Sequence, residues 1–187
     1  MFATDILFDR TLTSDATNIL IVGGGEVGCE TAHMLAYECG KSVTVVEQSV
    51  YFMQDTCTAN RGYLIHYLEQ KGVTLWNCSR INKIRDGLIE VTRNISPCVP
   101  PPYAVWQPVL PKNIRNPLAR ELRIEEQTVT VPADLIVFAT GLKPHDALYR
   151  QCVEAKVAPD IRNIGDSFEV GRIFDATKAG YAVGSSL

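Results

Sequence analysis

The chain has 187 residues, 46% hydrophobic and 21% charged, with a formal net charge of −3. This length allows one globular domain, or one domain and a fragment of another. The small negative charge argues against nucleic acid as the main partner, and no apolar run approaches the roughly 20 residues of a membrane span. Residues 1–10 lack a basic segment followed by a long apolar one, so no signal peptide is expected and the cytoplasm is the default location.

The first predicted elements form a strand, a glycine-rich turn, a helix and a second strand. An apolar strand over Asn18–Val22 leads into glycine-rich residues 23–28. A helix then runs to about Cys39, and a β-branched strand, Ser42–Val46, ends at the acid Glu47. This order, with an acid about 20 residues beyond the glycines, is the pattern of a dinucleotide-binding βαβ unit.

Each glycine of this turn has a predicted role. Gly23 allows a tight turn, Gly25 leaves room for a pyrophosphate that any Cβ would block, and Gly28 lets the helix lie close to the strand. The N–H groups and dipole of the helix N-terminus would face the phosphates. The predicted cofactor contacts in this region are Gly23, Gly24, Gly25, Glu26, Val27, Gly28, Glu47 and Gln48.

The acid at the end of the second strand predicts the choice of cofactor. Glu47 can accept hydrogen bonds from both ribose hydroxyls, whereas a 2′-phosphate would meet a like charge, so NAD(H) is expected rather than NADP(H). No arginine occurs in residues 48–54. The next basic residue, Arg61, lies at the start of the second helix and leaves NADP(H) open.

Three parallel strands are predicted in the first half of the chain. The first helix has a predicted buried stripe and ends at Gly40. A second helix is expected over 61–71, stopped by Gly72, and a third strand over 73–76. Short apolar strands separated by helices predict an α/β fold with a Rossmann-like open parallel sheet. The stripe consists of Val27, Thr31, Met34 and Leu35.

An antiparallel meander is predicted next. Segments 79–85 and 88–93 flank Asp86-Gly87, a strong hairpin turn signal. Segments 121–124 and 128–131 predict two further antiparallel strands.

The last part of the chain has a different pattern. A buried strand is predicted over 133–141. Beyond it, 163–166 and 171–184 have the pattern of a strand end, a turn and a helix. These last residues are too few to form a stable core of their own, so they are expected to belong to a larger domain.

Residues 95–118 are rich in proline and include Tyr103, Val105 and Trp106. The prolines exclude a regular helix or strand. Two interpretations stay open. The segment is either an ordered excursion that lies on its own domain, or a docking loop for another domain with its aromatic side chains as anchors.

No motif predicts a metal site or a catalytic side chain. The six cysteines form no CxxC pair or tight cluster, which argues against zinc, an iron–sulfur cluster or a redox disulfide. Cys29 and Cys39 are expected to pack as small apolar residues. The histidines, His33, His66 and His145, lie far apart in sequence and are expected to be structural or solvated.

The motifs Gly23–Glu30, Val43–Glu47, Ala139-Thr-Gly141 and Ile164-Gly-Asp166 resemble the flavoprotein reductases with two dinucleotide-binding domains. Within that group the chain is most similar to the C-terminal half of the 2,4-dienoyl-CoA reductase, enoate reductase and trimethylamine dehydrogenase family. In that family a barrel carrying FMN and a 4Fe-4S cluster is followed by an FAD domain, into which an NAD(P)H domain is inserted. The resemblance covers about residues 3–186.

The resemblance implies how the chain is divided. A complete reductase has two glycine-rich loops and this chain has one, so it is expected to be a fragment. Residues 1–16 would be a crossover segment, 17–141 the NAD(H)-binding domain, and 142–187 the returning segment of an FAD domain. FMN and the 4Fe-4S cluster would lie outside this chain. The implied partners are the first FAD segment, the barrel and a small-molecule substrate.

The resemblance also implies residue roles. Asp166 would bind the FAD ribityl chain, with Ile173–Ala176 near the flavin; a turn or helix-capping acid is the alternative. Glu30 would either help to position the nicotinamide or only favour the helix N-terminus. No general acid or base is expected, because the flavin carries the chemistry. The remaining predicted cofactor contacts are Thr140, Gly141, Gly165 and Asp166.

Three functions follow. The first is delivery of a hydride from NADH to FAD for reduction of an unsaturated substrate such as an enoate or a 2,4-dienoyl-CoA. The second is an NADH-dependent disulfide reductase or NADH oxidase, although the cysteine motif of the disulfide reductases is missing. The third is a non-catalytic NAD-sensing module. The flavin-site pattern of residues 142–187 argues against it.

Overall fold

The computed structural model describes residues 1–54, 56–105, 113–114, 117 and 121–186. The chain divides into two compact units, Met1–Thr140 and Gly141–Leu187. Among the described residues, no helix is long and apolar enough to cross a membrane.

The first unit contains a parallel and an antiparallel sheet. Its strands are β1 (Asn18–Val22), β2 (Ser42–Val46), β3 (Thr74–Trp76), β4 (Ser79–Arg85), β5 (Leu88–Asn94), β6 (Glu126–Pro132) and β7 (Leu135–Phe138). Its helices are α1 (Ala3–Phe8), α2 (Glu26–Tyr37) and α3 (Thr58–Gln70). The parallel sheet has the order β3-β2-β1-β7, and the antiparallel sheet has the order β4-β5-β6. The predicted α/β fold, with a Rossmann-like parallel sheet and an antiparallel meander, is confirmed.

The parallel sheet is buried on both faces. From β1, Ile19 and Ile21 pack in the cluster that includes the helices, whereas Leu20 packs with Ile89 and Val91 of the antiparallel sheet. Successive side chains of a strand point to opposite faces, so a strand covered on both sides is apolar throughout. Because β1, β2 and β7 run parallel, their carboxyl ends share one edge of this buried sheet.

The buried face of α2 differs from the predicted stripe at one position. Thr31, Met34 and Leu35 are buried, but Val27 is 43% exposed, so its predicted burial is wrong. The helix turns the face that carries Cys29 inward, and two steps of 100° along a helix carry a side chain to nearly the opposite face. Helix α3 also begins three residues before the predicted start.

The strand predicted over 121–124 is wrong, because these described residues carry no strand. The reason lies in the partner strand. β5 pairs with β6 up to Asn94, which is opposite Glu126, and among the described residues only one further backbone bond follows, from Ile95 N to Glu125 O at 2.8 Å. Residues 121–124, which precede Glu126, therefore have no strand to pair with, whatever their own preference for a strand conformation.

One residue of the proline-rich segment, Tyr103, packs on its own unit, and the choice between the two interpretations of the whole segment stays open. Tyr103 packs against the core, and its Oη donates to Val73 O at 2.7 Å and accepts from Leu75 N at 3.4 Å. These contacts cover the outer edge of β3, where backbone groups would otherwise lack a strand partner. Trp106, an anchor of the docking-loop interpretation, lies outside the described residues.

The second unit is built from α4 (Ala147–Glu154), α5 (Ile173–Gly184) and a 3-10 turn at Gly165–Ser167. Among its described residues, neither helix contains a buried side chain. Ile173 and Phe174 are 87% and 72% exposed. The unit thus presents large apolar side chains on its surface.

Candidate nucleotide-binding site

The turn between β1 and α2 requires glycine at two positions. Gly23 has φ +105°, and a Cβ there would overlap the carbonyl oxygen of Ala139, the residue after β7. A Cβ at Gly28 would overlap the carbonyl oxygen of Gly23. Backbone atoms cannot give way cheaply, so Gly23 is needed for the turn to lie against Ala139, and Gly28 is needed for α2 to lie against the turn.

Gly25 differs, because no described atom outside Gly25 and its two chain neighbours lies within 4 Å of the position that its Cβ would take. Its backbone is extended, with φ −73° and ψ −171°, and it is the N-cap of α2. As a glycine it offers no side chain to cap the N–H groups of the first turn, which lack partners within a helix. Open space at a positive helix end suits a diphosphate.

Glu47 lies beside the turn with its carboxylate held by backbone N–H groups. Oε2 accepts from Gly24 N at 2.6 Å, and Oε1 accepts from Ser49 N at 2.7 Å. Each carboxylate oxygen has two lone pairs, so one on each remains to accept a ribose hydroxyl. The residues present therefore fit an adenine dinucleotide, and Gln48 follows on the exposed surface.

A loop after β2 supports the turn, and sequence reasoning missed it. Met53 N donates to Gly24 O at 2.8 Å, and the buried ring of Phe52 fills the space where a Cβ of Gly24 would lie. Both backbone groups of Gly24 are thus bonded within the protein. The loop has no periodic pattern of hydrophobic residues in the sequence. Only the size of these apolar residues indicated that they are buried.

Arg61 is 1% exposed, so it is not placed to receive a 2′-phosphate. Its Nε donates to Phe52 O at 2.9 Å, Nη1 to Val105 O at 2.6 Å and Nη2 to Ala104 O at 2.7 Å. Burial lowers the pKa of Arg61. The basic residue that left NADP(H) open is committed to backbone carbonyls inside the fold.

Two further predicted positions follow β7. Ala139 N donates to Val22 O at 2.8 Å, which continues the pairing of β7 with β1. Thr140 comes next and is exposed, and Gly141 has φ +90° at the boundary between the two units. Their contact with a cofactor stays a prediction.

The predicted flavin residues lie in the second unit. Gly165 has φ +66° in the 3-10 turn, and the exposed Asp166 accepts from Gly171 N at 3.3 Å through Oδ1. This contact fits the turn-forming alternative, and the carboxylate keeps acceptor capacity for a hydroxyl. Its role toward FAD stays a prediction.

Glu30 is an exposed residue of α2. Partial burial and the neighbouring Glu26 raise the pKa of Glu30. Its two predicted roles, toward the nicotinamide or toward the helix end, both stay open.

Cysteine chemistry is unfavourable at this site. Cys29 is fully buried under the turn, and burial together with the Glu47 charge raises its pKa to about 12. It packs as a small apolar residue, as predicted. Among the described residues, no group of three or more histidine, cysteine or acidic side chains could hold a metal ion.

We expect Cys29 to resist alkylation in the folded chain, since a pKa of about 12 leaves about one thiolate in ten thousand at pH 8. Cys57 is exposed and provides the internal comparison. Peptide mass spectrometry after brief iodoacetamide treatment should find Cys57 modified first and Cys29 modified only after denaturation. Equal labelling of the two in the folded chain would contradict the buried position of Cys29.

Residues 18–94 match the model of a family described as "Pyridine nucleotide-disulphide oxidoreductase". The match covers 77 of the 187 residues and shows that this segment is similar to that family. The match includes the glycine-rich turn, Glu47 and Arg61, and ends with β5. The match agrees with the predicted dinucleotide-binding βαβ unit, and the family implies NAD(H) and FAD as cofactors.

Three similar proteins extend the match. An NADH oxidase of Thermoanaerobacter brockii is 28% identical over 181 residues, 97% of this chain and 23% of the relative. A cinnamate reductase of Clostridium sporogenes is 36% identical over 87 residues, 45% of this chain and 13% of the relative. The solved structure of a 2-naphthoyl-CoA reductase complex has a TM-score of 0.72 and 24% identity over 100% of this chain and 23% of that one.

The predicted resemblance to flavoprotein oxidoreductases is confirmed, and the fold is shared with the 2-naphthoyl-CoA reductase. The chain spans about a quarter of the length of the NADH oxidase and of that reductase.

Proposed function

We propose that this chain is the NADH-binding part of a larger flavin-dependent oxidoreductase. Residues 17–141 would form the NAD(H)-binding domain, joined by crossover segment 1–16, and 142–187 would be a segment of the FAD domain. The observation that carries the proposal is the open space at Gly25, next to the N-terminus of α2 and the carboxylate of Glu47.

Different residues around the turn would bind different parts of NADH. Backbone N–H groups of α2 would bind the diphosphate, and Glu47 would accept the adenosine ribose hydroxyls. Gly28 lets the helix lie against the turn, and Gly23 lets the turn lie against Ala139. In the second unit, Gly165 and Asp166 would hold the flavin chain. FAD supplies the hydride acceptor when bound, and this chain supplies position and charge.

NADH should bind more tightly than NADPH by about 1–3 kcal/mol, because a 2′-phosphate would meet the charge of Glu47. Arg61 cannot offset that repulsion, since it is buried among carbonyls. Calorimetric titration of the chain with both cofactors measures the difference. Equal or reversed affinity would overturn the NADH assignment.

The Glu47→Gln variant is the matched control for this discrimination. It keeps a side-chain oxygen to accept from Gly24 N but removes the negative charge. We expect NADPH affinity to rise toward that of NADH, with a small loss in NADH affinity from the lost ribose contacts. An unchanged preference would mean that another residue selects the cofactor.

For the complete protein, we propose reduction of a conjugated unsaturated acid or its CoA thioester. The support is the similarity to proteins named cinnamate reductase and 2-naphthoyl-CoA reductase. The alternative is an NADH oxidase, favoured by the relative of that name that matches 97% of this chain. A disulfide reductase would need its cysteine pair elsewhere, because the six cysteines here form no CxxC or CxxxxC pair.

Anaerobic NADH oxidation by the complete protein distinguishes the two activities. Reduction of cinnamate or an aromatic CoA thioester without oxygen would support the reductase. Turnover that requires oxygen and ignores these substrates would support the oxidase.

A further inference from the structure

Two buried side chains connect the loop that supports the glycine-rich turn to the proline-rich segment. We call residues 50–53 the support loop and residues 96–105 the strap. Asn77, which is 6% exposed, donates from Nδ2 to Val50 O at 2.7 Å and to Pro100 O at 3.0 Å. One amide group therefore joins the support loop to the strap.

Arg61 makes the second connection. Its Nε binds the support loop at Phe52 O, and its two terminal nitrogens bind the strap at Ala104 O and Val105 O. The planar guanidinium presents its N–H groups in a fixed fork, so it sets the distance between the two segments. These partners are all backbone carbonyls, and they identify Arg61 as a structural link rather than a surface cation.

The support loop in turn holds the glycine-rich turn. Met53 donates its N–H to Gly24 O, and Phe52 packs against Gly24. Met53 has φ +51°, a left-handed conformation that a methionine adopts only when its surroundings hold it there. The other side of Gly24 is bound by Glu47, so the position of the turn depends on both neighbours.

We propose that Asn77 and Arg61 are positioning residues for the nucleotide site, acting from the strap through the support loop on the glycine-rich turn. The inference rests on the proposed function, because these two residues would keep the glycine-rich turn in the conformation that binds NADH. A preset site avoids the ordering cost that binding would otherwise carry. Neither residue contacts the open space at Gly25 that the diphosphate would occupy.

The Asn77→Ala variant tests the link, and Tyr103→Phe is its matched control. Both remove hydrogen bonds of the strap, but Tyr103 binds the edge of β3 and not the support loop. Hydrogen exchange of the chain without cofactor should become faster in peptides 20–28 and 47–54 in Asn77→Ala. In Tyr103→Phe, hydrogen exchange should become faster around Leu75 and stay unchanged in peptides 20–28 and 47–54.

NADH affinity, measured by calorimetry, should fall about tenfold in Asn77→Ala and stay within about twofold in Tyr103→Phe. Arg61→Lys keeps the charge but cannot bridge the carbonyls in the same fork, so it should repeat the Asn77→Ala pattern. Arg61→Lys is used in place of Asn77→Ala if Asn77→Ala does not fold.

The outcomes separate this inference from the proposed function. Unchanged exchange in peptide 20–28 of Asn77→Ala would overturn the inference, and so would an equal loss of NADH affinity in Tyr103→Phe. Faster exchange with unchanged affinity would also overturn it. Failure of the unsubstituted chain to bind NADH would overturn the proposed function, whereas the exchange measurements, made without NADH, would still test the link.

Discussion

The Gly25→Val variant should lose NADH binding by at least about 100-fold, or about 2.7 kcal/mol, and keep its fold. No described atom opposes a side chain at Gly25, and its extended backbone is one that valine adopts readily. The new methyl groups would occupy the space proposed for the pyrophosphate. Valine is a poorer N-cap than glycine, so a stability loss of about 1 kcal/mol is expected.

The Gly28→Ala variant is the control. It is expected to lose stability, whereas Gly25→Val is expected to lose NADH binding and keep its fold. Its Cβ would overlap the Gly23 carbonyl oxygen, which the turn cannot move without shifting α2. Overpacking of this kind costs about 3 kcal/mol, which lowers the melting temperature by about 6–12 °C in a chain of this size. Thermal unfolding and NADH titration of both variants give the comparison. Normal NADH binding by Gly25→Val would remove the turn from the proposed site.

The chain expressed by itself should be purified without flavin and should not oxidise NADH above background. A cofactor as large as FAD needs a concave site that buries most of its surface. The second unit instead leaves Ile173 and Phe174 exposed and has no buried residue in the described part of its helices. Hydride transfer also needs an acceptor in contact with the nicotinamide.

Joining the chain to the FAD-binding segment of its parent protein should restore both the yellow colour and NADH oxidation. In that longer protein, Gly25→Val should keep the flavin but prevent its reduction by NADH, which separates the two cofactor sites. A yellow chain with stoichiometric flavin on its own would contradict the fragment interpretation. Flavin that stays oxidised while NADH binds would favour the sensing module.

Local patterns made much of the proposed nucleotide site predictable. The turn glycines and the acid after β2 are set by steric rules that act within a few residues, and the sequence alone placed Gly23, Gly28 and Glu47 around one turn. The apolar run of β1 and the Asp86-Gly87 hairpin are equally local, and they predicted correctly the pairing of β1 in a parallel sheet and of β4 with β5 in an antiparallel one.

Long-range contacts decided the rest. Arg61 looked like a cation available for phosphate, but carbonyls more than 40 residues away, at Ala104 and Val105, hold it inside the fold. The predicted strand over 121–124 failed because β5 stops at Asn94. A strand needs a partner, and a buried charge needs hydrogen-bond acceptors around it. Residues distant in sequence supply both, so only the tertiary structure could decide them.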